Sequence, residues 1–330
     1  MAEVCFANGV PDAEGRPVVV SFPNSDVLLN AFATFAAWSL VYFFITRYIL
    51  EPLVPRLWGK LYTEQNWPDR RSFVCHHLWI LVKTSAIIPG VLAIAQTIFL
   101  HKDLHAPVVP GSSVSSGDVF SVLYMEIIAM FVFELTYRAR VSPVTLLHHV
   151  AAIVLAQWQI AGEVNGVPLT NPMPRVLRNR GFDSQFILIM IYGAFECVFE
   201  LWMHICCIFH RKLKSRPAAC ARLWAAGGAW VLTGSVAETI VVAVFMHAYW
   251  SEWELQMKVM MPILHFAFLA AQLHGARVAF KLTRKYRQAA RDGQIDSPLP
   301  AAADLPKFGA VVADSPADEK PDSLAKSIAV

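Results

Sequence analysis

Ionisable side chains stand inside runs that are otherwise apolar, and they are the residues with the means to do chemistry. The stretch SPVTLLHHVAAIVLAQ carries His148 and His149, and the preceding apolar runs carry His76, His77 and Lys83, then Glu126 and Glu134. The later runs carry Glu196, Glu200 and His204, then Glu238 and His247, then His265 and His274. Imidazole is the side chain whose charge changes near neutral pH, so a histidine pair beside carboxylates points to proton-transfer chemistry. Metal ligation is the competing use of histidines. It needs several imidazoles at repeated short spacings, whereas this chain offers only His101 and His105 of HKDLH. No metal site is expected.

An ionisable residue at the centre of a membrane span costs about 2.5–3.5 kcal/mol, so these residues should face the interior of a bundle and have partners. Adjacent helical residues diverge by about 100°, so His148 and His149 cannot both aim at one reacting atom. One serves the chemistry while the other orients, packs or binds a neighbouring helix. Glu196, Glu200 and His204 share one helix face, either as an interhelical hydrogen-bond stripe or as part of a cavity wall. His247 and His274 lie near helix ends and read as interfacial residues.

The elements that must position these groups follow from hydropathy. Of 330 residues, 56% are hydrophobic and 16% charged, which is too apolar for an ordinary soluble domain. Seven runs are long enough to cross a ~30 Å hydrocarbon core as helices: 27–50, 73–100, 119–137, 144–160, 182–209, 223–250 and 257–280. Backbone groups must be paired in lipid and the runs lack period-2 alternation, so the expected fold is an all-α polytopic transmembrane bundle. Pro89-Gly90 reads as a break in the second span. It has no counterpart elsewhere, which argues against the paired broken helices of transporters.

Lys and Arg collect in the first, third and fifth connections and just after the last span, which places the N-terminus in the lumen and the C-terminus in the cytosol. The segment Asn171 to Arg180 disagrees, with three arginines on the predicted lumenal side. In this orientation His76, His148 and His149 lie near cytosolic helix ends and Glu126 and Glu196 near mid-membrane, where one cytosol-facing cavity could gather them. The net charge of +3 is too small to imply nucleic acid. The six cysteines show no disulfide or zinc spacing and read as packing residues. The chain divides into residues 1–66 (lumenal segment, first anchor and cytosolic connection), 67–286 (a transmembrane domain) and 287–330, a Pro-, Ala-, Ser- and Asp-rich tail expected to be disordered.

Four landmarks in order make the 67–286 region resemble the TLC-domain family, which includes the ceramide synthases. They are NWPDRRSFVCHH with Trp67, Arg70 and His76; LYMEIIAM with Glu126; the histidine pair; and RGFDSQFILIMIYGAFE from Gly181 to Glu196. The chain departs from the full ceramide synthase pattern. The pair is followed by an apolar VAAIVLAQ, and Leu188, Ile189 and Tyr192 stand where that family has a histidine and aspartates. It is closer to the general TLC pattern.

The resemblance implies an endoplasmic-reticulum bundle of six core helices around a lipid-sized cavity. It also implies acyl transfer from acyl-CoA, as co-substrate, to a long-chain, sphingoid-like amine. A histidine of the pair would act as base or as acyl-carrying nucleophile, with Glu126 or Glu196 orienting it. The candidate catalytic residues are therefore His148, His149, His76, Glu126 and Glu196. Arg70, Glu200, His204 and His265 are candidates for substrate binding. Expected partners are membrane lipids and acyl-CoA, self-association into a homo-oligomer is allowed, and no bound cofactor is needed. The alternative is a non-catalytic lipid-binding, lipid-sensing or membrane-composition regulator with the same fold.

Overall fold

A computed structural model of the chain describes residues 25–100, 107–164, 184, 187–253 and 255–292. The described residues form helices: α1 (Ser25–Phe44), α2 (Glu51–Trp58), α3 (Lys60–Thr63), α4 (Trp67–Ile94), α5 (Ser116–Tyr137), α6 (Pro143–Val164), α7 (Ile187–Leu213), α8 (Pro217–Tyr249) and α9 (Leu255–Arg291). The π-helical turn Ile45–Leu50 joins α1 to α2 without a break, another, Ala95–Phe99, follows α4, and a third, Glu196–Glu200, interrupts α7. Among the described residues six helical stretches are long and apolar enough to cross a membrane, so the chain is an all-α integral membrane protein. The fourth expected span, 144–160, falls in α6, whose apolar part, Pro143–Leu155, is too short to count among the six.

Local sequence explains where the helices start. Asn66 accepts the Asp69 amide at 3.0 Å and Pro68 occupies the first turn of α4, where a missing N–H costs nothing. Ser115 and Asp118 form a reciprocal capping box at α5. Ser142 Oγ accepts the Thr145 amide at 2.9 Å, with Pro143 opening α6. The expected break at Pro89-Gly90 is absent, because α4 runs unbroken through both residues. Proline removes one ladder hydrogen bond but leaves the bonds on either side, and packed membrane helices tolerate that loss.

The helices alternate in direction, so the ends that carry the basic connections meet. Arg71 stacks over the Tyr137 ring at 4.3 Å, Arg211 over Phe73 at 4.6 Å, and His210 Nε2 lies 2.6 Å from the Tyr286 hydroxyl. These contacts gather the start of α4 with the ends of α5, α7 and α9. The three arginines of 171–180, His101, His105 and the 293–330 tail lie outside the described residues. Helices α4 to α9 all contribute to the walls of the internal cavities, whereas α1 packs outside them, against α5 and α6. Tyr42 of α1 fixes this contact by donating its buried hydroxyl to the Glu126 carbonyl at 2.9 Å.

Candidate functional site

Two chambers lie in series between α4 and α9. The outer one, about 330 Å³, opens among the basic ends and is lined by Asp69, His76, Glu134, Arg138, Arg140, His149, His204 and Arg211. The inner one, about 110 Å³, is walled mainly by apolar side chains, including Ile87, Leu123, Ile128, Leu155 and Ile189. His148, Glu196, Glu200 and Gln272 line both chambers and so form the partition between them. A polar vestibule continuous with an apolar pocket is the shape that suits a molecule with a polar head and a hydrocarbon chain.

The partition is held by a buried cation. Lys83 of α4 is 0% exposed, and its Nζ lies 3.1 Å from Glu200 Oε2, 3.5 Å from Glu196 Oε1 and 3.3 Å from the Glu196 carbonyl. The ammonium also stands 4.7 Å from the centre of the Trp79 ring. Glu196 and Glu200 begin and end the π-turn of α7, and that turn brings both carboxylates to one lysine. The wider turn pushes Phe199 towards α8, where Gly234 leaves space for it. A Cβ on Gly234 would overlap the Phe199 ring. On its other oxygen, Oε2, Glu196 lies 3.7 Å from His148 Nε2, and that nitrogen has no hydrogen-bond partner among the described residues. One carboxylate thus bridges a fixed ammonium and an imidazole that faces both chambers.

His149 is used differently. Its Nε2 is 3.1 Å from Glu134 Oε2, and its ring stacks on Phe131 with centroids 4.3 Å apart. Glu134, buried near the end of α5, also accepts hydrogen bonds from Trp79 Nε1 and from Arg138. This hub binds α4, α5 and α6 together. The histidine pair is therefore split as helix geometry requires, with His148 on Glu196 and His149 on Glu134. His76 and His204 meet with Nδ1 atoms 3.0 Å apart, so one ring must donate while the other accepts. The His204 ring also stacks on Trp79 at 5.6 Å.

Three of the expected site residues are not brought to the chambers. Glu126 lines neither; its side chain accepts from Ser85 Oγ at 3.1 Å. Eight helical positions rotate by about 80°, so Glu134 on the same helix faces the cavity and Glu126 does not. Arg70 is occupied by the turn before α4, donating from Nε to the Gln65 carbonyl at 2.8 Å and from Nη2 to the Thr63 carbonyl. His265 packs beside Tyr192 with ring centres 5.8 Å apart and lines neither chamber. Conversely, Lys83 and Glu134 prove central although their sequence context marked them only as ionisable residues within spans. The signals were there: a lysine deep within a 28-residue apolar helix, and the i, i+4 spacing of Glu134 to Arg138.

Among the described residues no group of three or more His, Cys, Asp or Glu side chains is arranged to hold a metal ion. A scan against protein-family models and searches of curated proteins and of solved structures found no match to this chain.

Proposed function

We propose that this chain is a membrane acyltransferase of TLC type, moving a fatty acyl group from acyl-CoA to a long-chain amine with His148 as the base. The observation that carries the reading is the His148–Glu196 pair standing where a polar vestibule joins an apolar chamber. An acyl thioester bound across that joint would place its chain in the inner chamber and its carbonyl beside the imidazole. The anionic coenzyme head would lie in the outer chamber, whose wall includes Arg138, Arg140 and Arg211. By the positive-inside rule this basic end faces the cytosol and the N-terminus faces the lumen, as in an endoplasmic-reticulum enzyme.

The neutral amine nitrogen attacks the thioester carbonyl as the His148 imidazole takes the nitrogen's proton, and Glu196 stabilises the resulting imidazolium. The carbon–sulfur bond then breaks, the thiolate recovers the proton from His148, and an amide and free coenzyme A leave. His149 serves the fold, joining α6 to α4 and α5 through Glu134. Ile189 and the Tyr192 ring on the chamber wall suit chain binding.

The test compares purified wild type with His148→Ala and His149→Ala, supplied with acyl-CoA and a panel of long-chain amines and alcohols, by mass spectrometry of products. Wild type should form amide, His148→Ala should lose it, and the folded fraction of His149→Ala should retain it. Absence of turnover in wild type, with co-purified lipid retained by all three proteins, would overturn acyl transfer in favour of lipid binding or sensing. Lys83, which already ties the Glu196 and Glu200 carboxylates into a fixed arrangement, is the feature that fits that second reading.

A further inference from the structure

The wall of the inner chamber is apolar apart from a few groups whose charges do not balance. It carries three carboxyl groups, of Glu196, Glu200 and Glu238, and among the described residues no lysine or arginine. Lys83 stands behind the wall and is shared by Glu196 and Glu200, so Glu238 has no cation among the described residues. Glu238 of α8 is 3% exposed, and its Oε2 accepts from Gln272 Nε2 of α9 at 2.7 Å. Its other oxygen, Oε1, accepts nothing among the described residues, yet it is not sealed off. Gln272, having donated with its amide nitrogen, keeps its own Oε1 equally open. Glu238 shares the inward face of α8 with the buried Val231, Ser235 and Val242, so its free oxygen opens to the chamber and not to lipid. A buried carboxylate that lacks a cation is costly, and an apolar residue of similar size would avoid the cost.

We infer that Glu238 and Gln272 form the seat for the head of a protonated primary amine whose hydrocarbon chain lies along the apolar wall. An ammonium brings the missing positive charge and three donors with no acceptor, and the open positions of the seat are acceptors. The charges of Glu200 and Glu196 also reach Glu238 and add to the pull on a cation. An inorganic cation would need a fuller shell of oxygens, and the described residues hold no metal-binding group of His, Cys, Asp or Glu. Gln272, like His148, lines both chambers, so the seat borders the joint between them. The inference rests on the proposed function for the amine's role as substrate, and gives that amine a site. There the ammonium passes one proton to Glu238 before attack, leaving amine and carboxyl both neutral, and the carboxyl gives that proton to water once the product leaves.

The experiment measures binding of dodecylamine, dodecanol and dodecyltrimethylammonium, which share one chain, to the purified full chain in lipid nanodiscs without acyl-CoA. Wild type should bind the amine about tenfold more tightly than either control. Glu238→Gln should lose that advantage, and Glu238→Asp, which keeps the charge, should retain part of it. Equal binding of amine and alcohol to wild type would overturn the inference, as would a preference that survives Glu238→Gln. Binding of the trimethylammonium as tight as that of the amine would also overturn it, because that head has the charge without the donors. Each of these results leaves acyl transfer to be decided by the products of the histidine variants. A preference that depends on Glu238, in a protein that turns over no acyl-CoA, would support the seat while removing the acyltransferase reading.

Discussion

Replacing Lys83 by methionine keeps the length of the side chain and removes only its charge and donors. Lys83 is wholly buried, and its ammonium is shared by Glu196 at 3.5 Å and Glu200 at 3.1 Å, whose side chains are 15% and 34% exposed. Removing one partner of a buried ion pair costs about 3–5 kcal/mol, chiefly because the remaining charge is left uncompensated. Glu196 carries most of that cost here, since Glu200 retains more contact with the cavity.

The informative comparison is the same substitution in a Glu196→Gln/Glu200→Gln background. There the lysine is itself the uncompensated charge, so Lys83→Met should be neutral or stabilising instead of destabilising. The assay is unfolding of the purified protein in mixed micelles, titrated with a denaturing detergent and followed by the fluorescence of its 10 tryptophans. A cost that is the same in both backgrounds would refute the reasoning, because it would show that the lysine and the two carboxylates are not energetically coupled.

Glu134→Gln should destabilise by about 3–5 kcal/mol, as it leaves the Arg138 charge without its carboxylate in a mostly buried setting; Arg138→Met in the same chain should recover part of the loss, measurable by the same titration. Gly234→Ala should cost about 1–3 kcal/mol, because the new methyl meets the Phe199 ring. In a Phe199→Ala background that cost should largely vanish, and if it does not, the clash is not its source.

The sequence by itself determined the fold class, because a 20-residue apolar run leaves a chain in lipid no alternative to helix, but it counted seven spans where six of the described helices are long and apolar enough to cross. It also marked the ends of the helices, through Asn66, Ser115, Ser142 and their prolines, since capping is a contact between near neighbours in the chain. The clustering of Arg71, Arg138 and Arg211 at one end followed from alternation of direction alone. Even the splitting of His148 from His149 was legible, because a rotation of about 100° per residue forbids them a common target.

What only the tertiary structure decided is which ionisable residues meet. Glu126 and Glu134 stand in the same apolar run and the sequence favoured Glu126, yet it turns to Ser85 and lines neither chamber, while Glu134 becomes the hub for Trp79, Arg138 and His149. Lys83 finds its carboxylates more than a hundred residues away, and it does so across a π-turn that no hydropathy pattern announces. The reason is physical. Hydrophobicity fixes the length of each span, but without a hydrophobic force between helices their rotation and pairing are set by packing and polar contacts, such as Phe199 against Gly234 and Lys83 against Glu196.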